Sequence, residues 1–342
     1  MSYMYITMKL ISIVSLFSLV SGFTCADRSP VERFNEWLDT FDIHLEDSMS
    51  HFITFDKWLD NDEFINRFNA NNSTHVLGHN QFSGMDRKDY KLYLGYSKSL
   101  ATPKLLSRTR ILPQAVADSV NWVEKGGVTP VKDQGQCGSC WSFSTTGALE
   151  GAYFVKKGTL QSFSEQQLVD CDTLKNGGRD MGCNGGLMDN AFNWIKRNGG
   201  LCTESDYPYE SGVTQTQGSC AKSCDVVAGS SVASFVDVPP SDDNQMMAAI
   251  MKQPVAIAIE ADQREFQLYK SGVFKTACGT TLDHGVLVVG YGSENGSDYY
   301  LVKNSWGDSW GDKGYIKLAR GKEYNGGDGQ CGLLLSASYP IL

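Results

Sequence analysis

Long basic runs are missing from this 342-residue chain, whose formal net charge is -9. Nucleic-acid binding depends on Lys and Arg displacing phosphate counterions, so nucleic acid is excluded as the expected partner. No stretch after Val20 approaches the roughly 18 apolar residues of a membrane span, and the remainder is expected to be soluble. No internal repeat or low-complexity block stands out. Histidine is scarce: there are five, and only His284 lies beyond residue 112. Any chemistry there that needs an imidazole has one candidate. A zinc site at Cys137 and Cys140 lacks a second close Cys/His pair, so no metal and no cofactor is expected.

What is present points to a globular protein. With 41% hydrophobic and 20% charged residues, the chain can bury a sizeable core in one to three domains. Its first 26 residues carry one Lys, an apolar run from Leu10 to Val20 and then small residues, the pattern of a cleaved secretory signal rather than a retained anchor. The secretory pathway is oxidising, so the ten cysteines read first as a disulfide framework. Nine of them lie beyond residue 112, an odd number, so at least one thiol stays free if the rest pair among themselves. The sequons at Asn71, Asn72 and Asn295 are possible glycan acceptors.

Aromatic residues recur at helical spacing from Phe34 to Phe68, including Trp37, Phe52, Phe55, Trp58 and Phe64, and predict amphipathic packed helices. Residues 97–115 are rich in Ser, Thr, Pro and basic residues and read as a cleavable connector, with a domain boundary near 112. The segment from Cys140 to Gly158 predicts a long helix with small residues along one side, Lys156 and Lys157 in its last turn and Gly158 as its stop. A shorter helix is predicted from Leu187 to Arg197. From Val226 onward, strand-like runs such as VAIAIEA, GVLVVGYG, DYYLVKNSW and GYIKLARG alternate with turns. A helical part before a β-rich part gives an α+β arrangement with a cleft between them.

The stretch QGQCGSCW, Gln134 to Trp141, opens the long helix. Two cysteines so spaced can be a redox couple, half of a metal site, a half-cystine beside a free thiol, or two buried small residues. Cys140 sits at the predicted helix start, where free amides of the first turn favour a thiolate; a nearby imidazolium does the same. His284 is the available base, Asn304 in KNSWG can orient its other ring nitrogen, and Gln134 can join the Cys140 amide in binding an oxyanion.

These residues resemble the papain family of cysteine peptidases, whose signature is Cys-Gly-Ser/Ala-Cys-Trp/Tyr with His and Asn well downstream; here they follow Cys140 by 144 and 164 residues. The likeness continues, in family order, through SVNW, GGVTPVKDQGQCGSCWSFSTTGALEG, SFSEQQLVDC, GCNGGLMDNAF, DYPYE, YKSGVF, DHGVLVVGYG and WGDKGYIKLARG. It implies a two-domain fold, a mainly helical left domain and a β-barrel-like right domain with the active-site cleft between, preceded by a helical propeptide. The implied divisions are a signal peptide over 1–26, an inhibitory propeptide over 27–112 and a peptidase domain over 113–342.

The resemblance assigns Cys140 as nucleophile, His284 as general base and acid, Asn304 as its orienting residue and Gln134 as oxyanion donor. Trp306 matches the indole that shields the Asn–His hydrogen bond. Gly185 and Gly186 match the segment that pairs with an extended peptide, and Asp283 belongs to the same substrate-binding set. Leu187, Met188, Ala258, Leu282, Gly285 and Ser336 are the implied lining of the pocket for the side chain two residues before the scissile bond. That pocket is apolar without an acid at its floor, which suits bulky hydrophobic side chains, as in cathepsin-L-like members. The implied disulfides are Cys137–Cys183, Cys171–Cys220 and Cys278–Cys331, and pairing Cys202 with Cys224 would leave Cys140 free.

The first propeptide motif is partial. Trp58 takes the Phe place and Asn61, Ile65 and Asn69 match, whereas Ser50 and Thr54 stand where Glu and Arg are usual. Gly78, Asn80 and Phe82 match the second motif, with Gly84 in place of its Asp. The expected protein is thus an autoinhibited endopeptidase of the lysosome, vacuole or exterior. Its expected partners are peptide and protein substrates, its own propeptide and cystatin-type inhibitors, and it is expected to be monomeric. A thiol-disulfide oxidoreductase would need thioredoxin-like flanks, which are missing. A catalytically silent member is disfavoured by the intact Gln134, Cys140, His284 and Asn304.

Overall fold

The structure, a computed structural model, describes residues 28–97, 116–221 and 224–342. The signal segment, Cys25, the boundary near 112 and the connector beyond Ser97 lie outside them. Helix α1 (Pro30–Thr40) starts on a capping box between Ser29 and Glu32, with Pro30 in the first turn where its missing N–H costs nothing. Helix α2 (Ser48–Asn69) starts on Asp47, paired reciprocally with Ser50. The two helices pack through the buried rings of Phe34, Trp37 and Trp58. The aromatic stripe does not bury throughout: Phe52 is 67% exposed, because α1, with 11 residues, is too short to cover all 22 of α2.

Strand β1 (His75–Leu77) and helix α3 (Arg87–Tyr90) follow. After the undescribed connector come β2 (Val120–Asn121) and the long helix α4 (Cys140–Lys157), stopped by Gly158 in the left-handed conformation. Helices α5 (Glu165–Cys171), α6 (Met188–Asn198) and α7 (Ser211–Thr214) complete the helical part. The rest comprises β3 (Ser234–Asp237), α8 (Asp243–Ile250), β4 (Val255–Ile259), α9 (Arg264–Gln267) and β5 (Tyr269–Phe274). It closes with β6 (His284–Glu294), β7 (Ser297–Lys303), β8 (Tyr315–Ala319) and β9 (Ala337–Ile341).

The strands form one sheet in the order β1-β5-β8-β7-β6-β4-β9-β3, with β2 added to β6. The α+β reading holds, although β2 precedes the helices and β1, which no sequence pattern announced, joins the sheet antiparallel to β5. Helix α4 lies against β6 because its inner face is small. Ser144 donates to the Val286 carbonyl at 2.7 Å, and a Cβ on Gly147 would stand 2.8 Å from the Leu287 side chain. Leu287, Val288 and Val289 of β6 are buried there, and each such side chain contributes roughly 1.5–3 kcal/mol of burial. Four disulfides are present, Cys137–Cys183, Cys171–Cys220, Cys202–Cys224 and Cys278–Cys331; among the described residues only Cys140 is free.

Residues 28–97 dock on the β-rich part through matched polar and aromatic contacts. Asn61, 3% exposed, donates to the Ser83 and Met85 carbonyls and accepts from Arg264, whose guanidinium also pairs with Asp60 at 2.7 Å. Thr54 and Gly84, two of the three departures from the expected motifs, face each other: a Cβ on Gly84 would meet the Thr54 methyl at 2.6 Å. No ion pair joins those positions; instead Arg33 and His79 both contact the Asp62 carboxylate.

Replacing Asn61 with Ala strands the Ser83 carbonyl and one guanidinium nitrogen, whereas the Met85 carbonyl keeps Gln267 as a donor. We expect the intact chain to lose about 2–3 kcal/mol of stability, measured by urea unfolding.

Candidate active site

Cys140 is the first residue of α4, at the end of a loop fixed by the Cys137–Cys183 bridge and by Gly138 donating to the Cys183 carbonyl. A Cβ on Gly138 would stand 2.5 Å from that carbonyl oxygen, so the loop needs glycine there. His284 opens β6 and Asn304 follows β7, so the antiparallel β6–β7 pair brings the two side chains together. His284 Nε2 and Asn304 Oδ1 are 2.8 Å apart. Because an amide oxygen only accepts, Nε2 carries the proton, and Nδ1, buried without a partner, is the nitrogen available for proton transfer. Trp306 stacks on the imidazole with ring centres 4.5 Å apart and is itself fully buried.

Ser305, which the sequence analysis did not single out, joins two parts of the site. Its amide donates to Asn304 Oδ1 at 2.8 Å, its hydroxyl donates to Gln134 Oε1 at 2.7 Å, and its carbonyl accepts from the Gln134 amide. A serine beside the Asn in KNSWG was the available signal, but its partner lies 171 residues away in sequence. Gln134 Nε2, the expected oxyanion donor, gives its hydrogens to the carbonyls of Tyr93 and Cys137, both at 2.8 Å.

Tyr93 ends a 3-10 turn (Lys91–Tyr93), after which an extended segment, Leu94–Ser97, runs through the cleft. Gly95 donates to Cys140 Sγ at 3.3 Å, opposite the Gly285 amide at 3.2 Å. Gly186 donates to the Gly95 carbonyl, Ser97 donates to the Gly186 carbonyl, and Tyr96 donates to the Asp283 carbonyl. The Tyr96 hydroxyl lies 3.0 Å from Ser336 Oγ. Gly185, at φ 109°, has no room for a side chain, since a Cβ would meet the Gly95 carbonyl oxygen at 2.8 Å. Met188, Ala258 and Leu282 are buried in one hydrophobic core, and Leu187 is buried as well. Leu187 is held by its amide donating to Asp180 Oδ1 at 3.1 Å.

The electrostatics differ from the expected thiolate. Burial pushes the Cys140 thiol up to about 12, despite the amides of Gly285 and Gly95 that favour its anion. Burial likewise pushes His284 down to about 4, against the opposing pull of Asn304. Both groups are therefore neutral at neutral pH in this state, because the segment over the thiol removes the solvent that an ion pair needs. Burial also raises Asp283 to about 7. Among the described residues, no three His, Cys, Asp or Glu side chains converge to hold a metal ion, and no helix is long and apolar enough to cross a membrane.

Residues 116–341 match the family model described as papain family cysteine protease. The probable cysteine protease RD21B of Arabidopsis thaliana is 46% identical over 84% of this chain and 60% of its own length. The chain thus spans about three fifths of that relative. Cysteine protease XCP2 of the same plant is 42% identical over 91% of this chain and 86% of its own length. The crystal structure of the ragweed pollen cysteine protease Amb a 11 in its proform superposes with a TM-score of 0.81 at 34% identity, covering 92% of this chain and 94% of that one. The recombinant stem bromelain precursor gives 0.80 at 35% identity over 92% and 99%.

Replacing Ser305 with Ala leaves the buried Gln134 Oε1 without a donor. Urea unfolding of the intact chain should register a loss of about 1–2 kcal/mol.

Proposed function

The chain belongs to the papain family of cysteine proteases, and on that premise we propose that it is a cysteine endopeptidase made as a zymogen. The observation that carries this reading is the convergence of Cys140, the His284–Asn304 pair and Gln134 beneath one stretch of the chain's own backbone. In this reading residues 27–112 are the inhibitory propeptide, 113–342 the peptidase domain and 1–26 the signal peptide. Tyr93 fills the oxyanion donor, Gly95 covers the thiol and Tyr96 occupies the hydrophobic pocket beside Ser336.

Removal of that segment exposes the thiol to water and to His284. The Cys140 proton then passes to His284 Nδ1, and the resulting imidazolium stabilises the thiolate. The thiolate sulfur attacks the scissile carbonyl carbon, and the carbonyl π electrons move onto oxygen. Gln134 Nε2–H and the Cys140 backbone N–H receive that oxyanion. Collapse of the tetrahedral species breaks the C–N bond while His284 protonates the leaving amine, leaving an acyl-enzyme. Water, deprotonated by His284, attacks the thioester, and the thiolate leaves. Asn304 keeps Nε2–H engaged throughout, so only Nδ1 moves protons, while Trp306 keeps water from that bond.

Gly185 and Gly186 offer backbone to an extended substrate, and Asp283 offers its carbonyl, as both Gly186 and Asp283 do to the inhibitory segment. Leu187, Met188, Ala258, Leu282, Gly285 and Ser336 form the pocket for the residue two before the scissile bond. Lacking an acid, it favours bulky hydrophobic side chains in the cathepsin-L manner. The remaining parts of the reading are a monomer that takes cystatin-type inhibitors in the same cleft and enters the secretory pathway for a lysosome, a vacuole or the exterior. Asn71, Asn72 and Asn295 are exposed and open to glycosylation.

Two outcomes test this reading. After incubation of the purified chain in acid, an epoxide thiol inhibitor should label Cys140 and abolish peptide cleavage; labelling at Cys137, or no cleavage at all, would contradict the mechanism. Among peptides varied at the second position before the cleaved bond, Leu or Phe should exceed Arg by roughly 10–200-fold in kcat/KM. Equal rates would remove the pocket assignment.

A further inference from the structure

Behind the catalytic groups, the helical part buries carboxylates that the mechanism does not use. Glu165 opens α5 and is 1% exposed; Glu204 lies in the loop after α6. Glu165 Oε2 and Glu204 Oε2 are both buried with no donor to receive, and the two carboxyl groups lie close enough for a proton to join them. Two ionised carboxylates cannot hydrogen-bond to each other, since each only accepts. One proton held between them supplies the missing donor and removes the like-charge repulsion.

The other oxygens of the pair lead to the active site. Glu165 Oε1 accepts from Lys132 Nζ at 2.6 Å and from the Thr146 hydroxyl at 2.5 Å. Glu204 Oε1 accepts from the Tyr209 amide at 2.9 Å. Lys132 stands two residues before Gln134. The Tyr209 hydroxyl donates to the Gln134 carbonyl at 2.8 Å and lies 2.7 Å from Ser139 Oγ, the residue before Cys140. The carboxyl pair therefore sits where the two supports of the Gln134–Ser139 loop meet.

We propose that Glu165 and Glu204 are positioning residues, and that one proton shared between them couples Lys132 to Tyr209 and so fixes the loop that presents Gln134 and Cys140. This rests on the proposed function in one respect, the role given to Gln134. Burial first, then the Glu165 charge, raises Glu204 to about 8 from an ordinary 4.5, with Lys132 opposing. The charged groups facing the pair are Lys132 from the loop ahead of α4 and, through Lys132, Glu150 of α4 at 3.1 Å. Lys303 of β7 stands nearby on Thr129, lowered to about 8 by burial.

The sign follows from proton linkage. Between about 4.5 and about 8 the folded chain binds the proton and the unfolded chain does not, so stability falls as pH rises through that window. Above it, the folded pair is doubly charged, the coupling is lost and the loop loosens.

Glu204→Gln tests the idea, because a carboxamide donates an N–H to Glu165 at every pH and still accepts from Tyr209. Thermal melts of the intact chain, taken without acid activation, read the linkage, and the Cys140 thiol contributes equally to wild type and variant. The wild type should lose melting temperature steadily from pH 5 to pH 9, and the variant should lose less. In the activated enzyme, kcat at pH 9 relative to each protein's own value at pH 6 should fall at least about threefold further for wild type than for the variant, with KM moving little. Superimposable pH curves for wild type and variant would overturn the proposal. If the variant does not fold, hydrogen exchange of the wild-type Tyr209 amide decides. Protection lost between pH 7 and pH 9 beyond the ordinary base-catalysed increase supports the proposal, and protection that follows that increase alone overturns it. The melts and the exchange need no turnover, so an inactive protein would count against the endopeptidase reading without touching this one.

Discussion

The backbone of Gly95 lies so close to the start of α4 that a Cβ there would stand 1.8 Å from the Gly138 carbonyl oxygen. Only glycine permits that approach, and the rest of the closed state depends on it. With Gly95 seated, its amide reaches the Cys140 sulfur, its carbonyl takes the Gly186 amide, and the flanking Tyr93 and Tyr96 reach Gln134 Nε2 and Ser336 Oγ. The thiol is then cut off from water. Burial outweighs the two amides that point at the sulfur, so Cys140 is held as a neutral thiol.

So short a segment cannot hold its place alone; the preceding helices anchor it. Phe82 packs edge-on against Trp306 at 5.1 Å and against Tyr93 at 4.9 Å, linking the anchor to the indole that covers His284. Asn80 donates to the Gln267 carbonyl, Gln267 donates to the Phe82 carbonyl, and Tyr90 donates to the Ala261 carbonyl. Strand β1 adds to the sheet edge at β5. Arg87 and Lys91 pair with Asp262, but both cations are at least half exposed, and pairs of that kind contribute on the order of 0–1 kcal/mol. Buried aromatic and backbone contacts therefore dominate the docking, with charge adding selectivity.

Much of this was legible in the sequence where local rules apply. The small face of α4, its lysines and the Gly158 stop gave its extent to within a residue, because helix periodicity and caps are local signals. The strand runs from Val255 onward were legible for the same reason. Strand β1 was not: three residues carry no usable alternation, and beyond its local contact with Phe68, His75 is covered by Tyr269 and Phe274, some 200 positions away. Resemblance named Cys140, His284, Asn304 and Gln134, but not what joins them. Ser305 and the Glu165–Glu204 pair act through contacts between distant segments, which periodicity cannot report. The sequence marks the helix start at Cys140 but not the backbone that closes over it.

Residues 93–97 keep Cys140 a neutral thiol by excluding water. The most direct measurement is the rate of Cys140 alkylation by iodoacetamide against pH, followed by peptide mapping, in the intact chain and again after the segment is cleaved away. Labelling of the intact chain should be negligible up to about pH 9, and the thiol should react already at acidic pH once the segment is gone. Equal rates and equal pH dependence in the two forms would contradict it.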